Sequence, residues 1–66
     1  MNQLRNIRKM KNMSRQELAN MLGISVSALG RRERGESAMM EDEIRRASHI
    51  LECSCSEIIG EDTDEK

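Results

Sequence analysis

Leu4, Ile7 and Met10 recur three residues apart, with Arg5, Arg8, Lys9 and Lys11 among and after them. That is one apolar stripe at helical spacing, so residues 3 to 11 predict an amphipathic first helix ending near Asn12. Ser14-Arg15-Gln16-Glu17 then has the form of a capping box. In such a box the hydroxyl accepts from an orphan backbone N–H, and the carboxylate three residues on accepts from the cap residue's own N–H. A second helix therefore starts at Arg15, with Leu18, Ala19 and Leu22 as its buried stripe. Gly23 ends it, because glycine enters left-handed backbone without steric cost.

Ser25 predicts the next N-cap, Val26 to Arg34 a third helix, and Gly35 its stop. Only Gly23-Ile24-Ser25 separates the second and third helices, which is the spacing of a helix-turn-helix. After a loop from Glu36 to Met40, Glu41-Asp42-Glu43 places three acids at the positive end of a fourth helix, and Ile44, Ala47, Ser48 and Leu51 mark one face of it. Ser54-Cys55-Ser56-Glu57 repeats the capping box, Ile58 and Ile59 follow, and Gly60 closes a short fifth helix. The expected fold is all-α, a compact bundle of five short helices in one domain over residues 1–60. Residues 61–66 form an acidic tail, which its composition predicts to be disordered.

Composition adds constraints to this plan. A chain of 66 residues buries about 60% of its unfolded surface, so its stability is expected to be marginal and a partner or second copy would help it. With no Phe, Trp or Tyr, the core must come from Leu, Ile, Val, Ala and Met, and six Met suggest an adaptable one. No apolar run approaches the roughly 18 residues that span a bilayer, and the start lacks a signal-peptide core, so a soluble, cytoplasmic protein without membrane contact is expected. Cys53 and Cys55 are too close for a disulfide framework, which fits a reducing compartment.

The net charge of −1 hides a split. Residues 1 to 35 carry eight Lys or Arg against Glu17 and Glu33, a balance of +6, and residues 36 to 66 carry −7. A basic head suits a polyanionic partner, although charged residues more often simply solvate a helix face. The third helix makes the distinction. Leu29, Arg32 and Glu33 lie on one side, whereas Ser27, Gly30, Arg31 and Arg34 form an i, i+3, i+4, i+7 stripe opposite. A hydroxyl, a bare glycine and two arginines, with no carboxylate among them, make a surface able to press against the major groove of double-stranded DNA. Gly30 costs about 1 kcal/mol relative to Ala within a helix, so it marks either close approach of a partner, which we favour, or plain tolerance.

Leu18-Ala19, Gly23-Ile24-Ser25, Ser27, Leu29 and Glu33-Arg34-Gly35 resemble the Cro and lambda-repressor-type helix-turn-helix domain, the XRE family, over about residues 3 to 60. The combined pattern, with Ser14 and Glu17 before Leu18-Ala19 and Leu22-Gly23 after it, is specific where each fragment alone is weak. The resemblance implies a lambda-repressor-like DNA-binding domain, with Val26, Ser27 and Arg31 reading base edges. It implies that Arg15 contacts phosphate, that Arg34 lies near the DNA backbone, and that Arg8 and Glu33 form a structural ion pair. Gly30 joins the base-reading set by its place on the stripe, and Arg5 and Lys9 of the basic first helix join the backbone set. Chemically, Arg31 suits the bidentate contact to guanine, Val26 a thymine methyl, and Ser27 several bases.

Two departures stand out. Arg32 occupies a position that is usually apolar in the family, and its stem is expected to cover the core while its guanidinium reaches water or a phosphate. The Asn-Pro often found before the fourth helix is replaced by Ala38-Met39. By family analogy the protein is expected to be a repressor of phage or mobile-element type, bound to a palindromic operator. One short helix reads few base pairs, so a homodimer is expected, with its contact in the acidic half at Ile58, Ile59, Met39 and Met40.

His49 and Cys53 stand an i, i+4 step apart, but no fourth ligand accompanies them and Cys55, so a core role for Cys53 is preferred to a metal site. A redox role would need a low-pKa thiol, and no cation lies near in sequence. No cofactor and no enzymatic activity are expected, since there is no phosphate loop, no second His and no evident carboxylate pair. The remaining alternative is a protein-interaction module of the same fold, an antitoxin or antirepressor whose acidic half binds a protein partner.

Overall fold

In a computed structural model that describes residues 2–60, five helices follow one another. They are α1 (Leu4–Met10), α2 (Arg15–Leu22), α3 (Val26–Arg34), α4 (Glu41–Leu51) and α5 (Cys55–Ile59). No strand occurs among the described residues. The acidic tail expected over residues 61–66 lies outside them.

The starts and stops follow from local chemistry. Ser14 Oγ accepts from the Glu17 N–H at 3.0 Å and the Ser14 N–H donates to Glu17 Oε1 at 2.9 Å. Ser54 and Glu57 repeat both bonds at 3.1 and 2.8 Å. Ser25 caps α3 through its hydroxyl alone, 3.1 Å from the Ala28 nitrogen, because alanine offers no carboxylate in return. At the end of α2, Gly23 takes φ 76° and lets the Ile24 N–H reach back to the Ala19 carbonyl at 3.0 Å. This folded-back end sets the tight turn that swings α3 across α2. The end of α4 has the same geometry without a glycine: Glu52 adopts φ 54°, and the Cys53 N–H donates to the Ser48 carbonyl at 3.0 Å.

Leu4 of α1, Leu18, Ala19 and Leu22 of α2, Leu29 of α3, Ala47 and Leu51 of α4 and Ile58 of α5 are the buried apolar core. Full burial of a leucine or isoleucine contributes about 1.5–3 kcal/mol, so these few side chains hold the bundle. Three expectations change here. Ile58 is fully buried and cannot belong to a dimer contact. A five-residue helix turns 100° per residue, so only one of two adjacent isoleucines faces inward; Ile59 is left 43% exposed. The core is also less methionine-rich than expected, since Met13 and Met39 pack only at its edge while Met10, Met21 and Met40 are exposed.

The third change concerns α4 and Arg32. The stripe that α4 buries is Glu43, Ala47 and Leu51 rather than one containing Ile44 and Ser48. Glu43 faces inward because Arg32 meets it there, Nε to Oε1 at 2.8 Å, while Arg32 Nη1 donates to the Ala28 carbonyl at 3.2 Å. The guanidinium expected to reach water or phosphate is therefore engaged within the protein, and an ion pair joins α3 to α4. The same Glu43 oxygen accepts from the Met40 N–H at 2.9 Å, half of a capping box. Burial pushes the Glu43 carboxyl up. The Arg32 hydrogen bond, the Met40 N–H and the charges of Arg32 and Arg46 outweigh that, and the carboxyl lies below its ordinary range.

Candidate nucleic-acid interface

Glu33 is the pivot on which the basic face is assembled. Its side chain is only 2% exposed, yet its charge is shared by two guanidinium groups. Arg8 of α1 donates through Nε to Oε2 at 2.7 Å and through Nη2 to Oε1 at 3.3 Å. Arg15, the first residue of α2, donates through Nε to Oε1 at 3.4 Å. Arg8 Nη1 also reaches the Met13 carbonyl at 2.9 Å, so one charged cluster fixes α1, the loop after it, α2 and α3. Removing Glu33 would leave the buried Arg8 charge uncompensated, which costs about 3–5 kcal/mol in comparable pairs. Arg8 is consumed by this role, whereas Arg15 is held by one nitrogen and stays 42% exposed.

Above this pivot, Val26, Ser27, Gly30 and Arg31 of α3 line one open hollow together with Arg15, Arg34 and Glu36. Ser27 and Arg31 are exposed, and Val26 is half-buried against the edge of the core. A second hollow, of about 290 Å³, joins Arg5, Asn2 and Asn6 to Arg15, Gly30, Glu33 and Arg34. Six of the residues singled out as base or backbone contacts thus share the first hollow, and Arg5 joins Arg15 and Arg34 in the second. Lys9 is exposed on α1 and lines neither.

Two readings of the stripe need correction. Gly30 is buried rather than bare, because the Arg34 side chain lies over it; a Cβ there would sit 3.2 Å from Arg34 Nη1. The stripe also has a carboxylate beside it. Past the Gly35 stop, Glu36 accepts from Arg34 Nε at 2.8 Å and Nη2 at 3.4 Å. That hydrogen bond and the Arg34 charge hold the Glu36 carboxyl below its usual range, and the Arg34 guanidinium is correspondingly harder to deprotonate.

Asn2 was not singled out from the sequence. Its side-chain N–H donates to the Arg32 carbonyl at 2.8 Å, and its Oδ1 accepts from the Leu4 N–H at 3.0 Å, so it satisfies the first N–H of α1 and ties that helix to the end of α3. An Asn two residues before an amphipathic stripe is a capping signal, but nothing local announces a partner 30 residues away. Arg46 is similar, reaching the Leu22 carbonyl at 3.4 Å at the end of α2. Cys53 packs against the core edge, where burial first and the Glu57 charge second push its thiol up. Among the described residues no three His, Cys, Asp or Glu side chains gather as metal ligands would, and no helix is long and apolar enough to cross a membrane.

Compared with families of known proteins, residues 4–58 match a helix-turn-helix family of Cro/C1 type. No curated protein matches the chain.

Proposed function

We propose that this chain, which belongs to the Cro/C1-type (XRE) helix-turn-helix family and is thereby a sequence-specific DNA-binding regulator of transcription, is a repressor that binds a palindromic operator as a homodimer. The observation that carries the reading is the single hollow shared by Val26, Ser27, Arg31, Arg15 and Arg34. It has the composition of a groove reader: a forked cation for guanine, a hydroxyl for several bases, a small apolar group for a thymine methyl, and arginines for phosphate at its rim. Arg31 is the principal base reader, being exposed on α3 and engaged by no carboxylate among the described residues.

The second copy docks at the start of α4 and the end of α5. Met39, Ile44 and Ile59 line a hollow there with Asn2, Gly35, Ser37 and Ala38, and Met40 nearby is 61% exposed. Ile59, Met39 and Met40 remain the contact residues of this reading, without Ile58. A dimer built on this patch leaves α3 of each copy free to enter successive major grooves, about 34–36 Å apart.

Selection of bound sequences from a random duplex pool tests both parts. The expected result is an enriched inverted repeat, with Arg31→Ala weakening its binding at least about tenfold and relaxing preference at one position per half-site. An unenriched pool overturns sequence-specific reading by this chain, and an enriched single half-site overturns the dimer.

A further inference from the structure

Gly30 sits in the interior of α3 with ordinary helical backbone, where alanine would be the more stable residue. Its conformational freedom is unused, so the reason for a missing side chain lies in the space around it. A Cβ there meets the Arg34 guanidinium, Nη1 at 3.2 Å and Cζ at 4.0 Å, and no core side chain within 4 Å. The guanidinium lies along α3 one turn from its own Cα. Glu36 holds Arg34 through Nε and Nη2, which leaves Nη1 over Gly30. Arg15, Arg34 and Gly30 line both of the two neighbouring hollows. Arg15 is itself held through Nε on Glu33.

We propose that Gly30 is a seat for Arg34: the absent side chain lets the Arg34 guanidinium lie beside Arg15, and the two form a clamp for one phosphate of the DNA backbone. The inference rests on the reading of this face as the DNA-binding one. It gives Gly30 a positioning role in place of base reading, and the two roles differ in what they predict. A phosphate clamp acts equally on every sequence, whereas a base reader acts on the operator alone.

The test is Gly30→Ala in the full chain, alone and combined with Arg34→Ala. Arg34 is flexible enough to swing aside, so Gly30→Ala folds and its Tm rises by about 4 °C. Its affinity falls about fivefold on operator and unrelated duplex alike, and the slope of log affinity against log salt shrinks by up to about one per bound copy. In the Arg34→Ala background the same substitution changes affinity by less than about twofold. A loss confined to the operator, or one equally large without Arg34, overturns the proposal. NMR titration of the Glu36 carboxyl in the free protein gives a readout that needs no DNA. Its depressed pKa moves up in Gly30→Ala if the seat is real, and an unchanged titration overturns the seat. If neither Arg31→Ala nor Arg34→Ala weakens DNA binding, the DNA-reading face and the clamp fail together, while the Glu36 titration still decides whether Gly30 seats Arg34.

Discussion

At the scale of single residues, the chain places a pair of opposite charges where α3 meets α4. Arg32 and Glu43 are 18% and 12% exposed along their side chains and meet at 2.8 Å. Such a pair recovers little net stability after desolvation, but it is directional, so it fixes α4 against α3 in one register. Arg32 was visible in the sequence as a misfit; its partner was not, because an acid in the first turn of a helix is explained well enough by the helix dipole. Glu52 stands out for another reason. It occupies left-handed backbone at φ 54°, a conformation that favours glycine and costs other residues about 1–2 kcal/mol. Glu52→Gly is expected to stabilise the protein by about 0.5–1 kcal/mol, the gain being reduced by glycine's greater freedom in the unfolded chain. Urea unfolding of the two proteins checks it, and a less stable variant would show that the Glu52 side chain has a role of its own.

At the scale of elements, each helix is specified by its ends. α2 and α5 carry reciprocal capping boxes, α3 a hydroxyl cap, and α4 the returning carboxylate of Glu43. Two of these carboxylates link stability to pH. Glu57 is lowered by the backbone N–H and then the hydroxyl of Ser54, and Glu43 is lowered by Arg32, Met40 and Arg46 against the upward push of burial. Because both are depressed in the folded state, the unfolded chain binds more protons in acid. Their contribution is fully present above the ordinary carboxylate value of about 4.3 and is lost as pH falls through the depressed folded values. Unfolding free energy is therefore expected to decline below about pH 4.5, with a shallower decline in Glu43→Gln than in the parent. Equal slopes for the two proteins would mean that Glu43 is not held as the geometry indicates.

At the scale of the whole molecule, the charge split runs parallel to the two faces proposed for DNA and for the second copy. Arg5, Arg15 and Arg34 line the hollows of the proposed DNA face, Lys9 is exposed on α1 outside them, and the apolar patch proposed for the second copy lies where the acidic half begins. If Arg5, Lys9 and the clamp of Arg15 and Arg34 each neutralise one phosphate in both copies, log affinity falls with log salt at a slope of about −5.4, against about −2.7 for one bound copy. Binding measured across a salt series distinguishes the two, and the shallower slope on an operator would speak for a monomer. Of this design, the sequence by itself determined the helix boundaries and the helix-turn-helix, because caps, glycine stops and apolar spacing act within a few residues of the chain. It also marked the face formed by Ser27, Arg31 and Arg34, since residues three and four apart share a side of any helix. Only the tertiary structure decided that Ile58 closes the core while Ile59 faces out, that Arg34 covers Gly30, that Arg32 ends on Glu43, and that Asn2 reaches the end of α3. Packing and ion pairing choose among partners far apart in the chain, and a one-dimensional pattern carries the period of a helix but not the neighbour its face will meet.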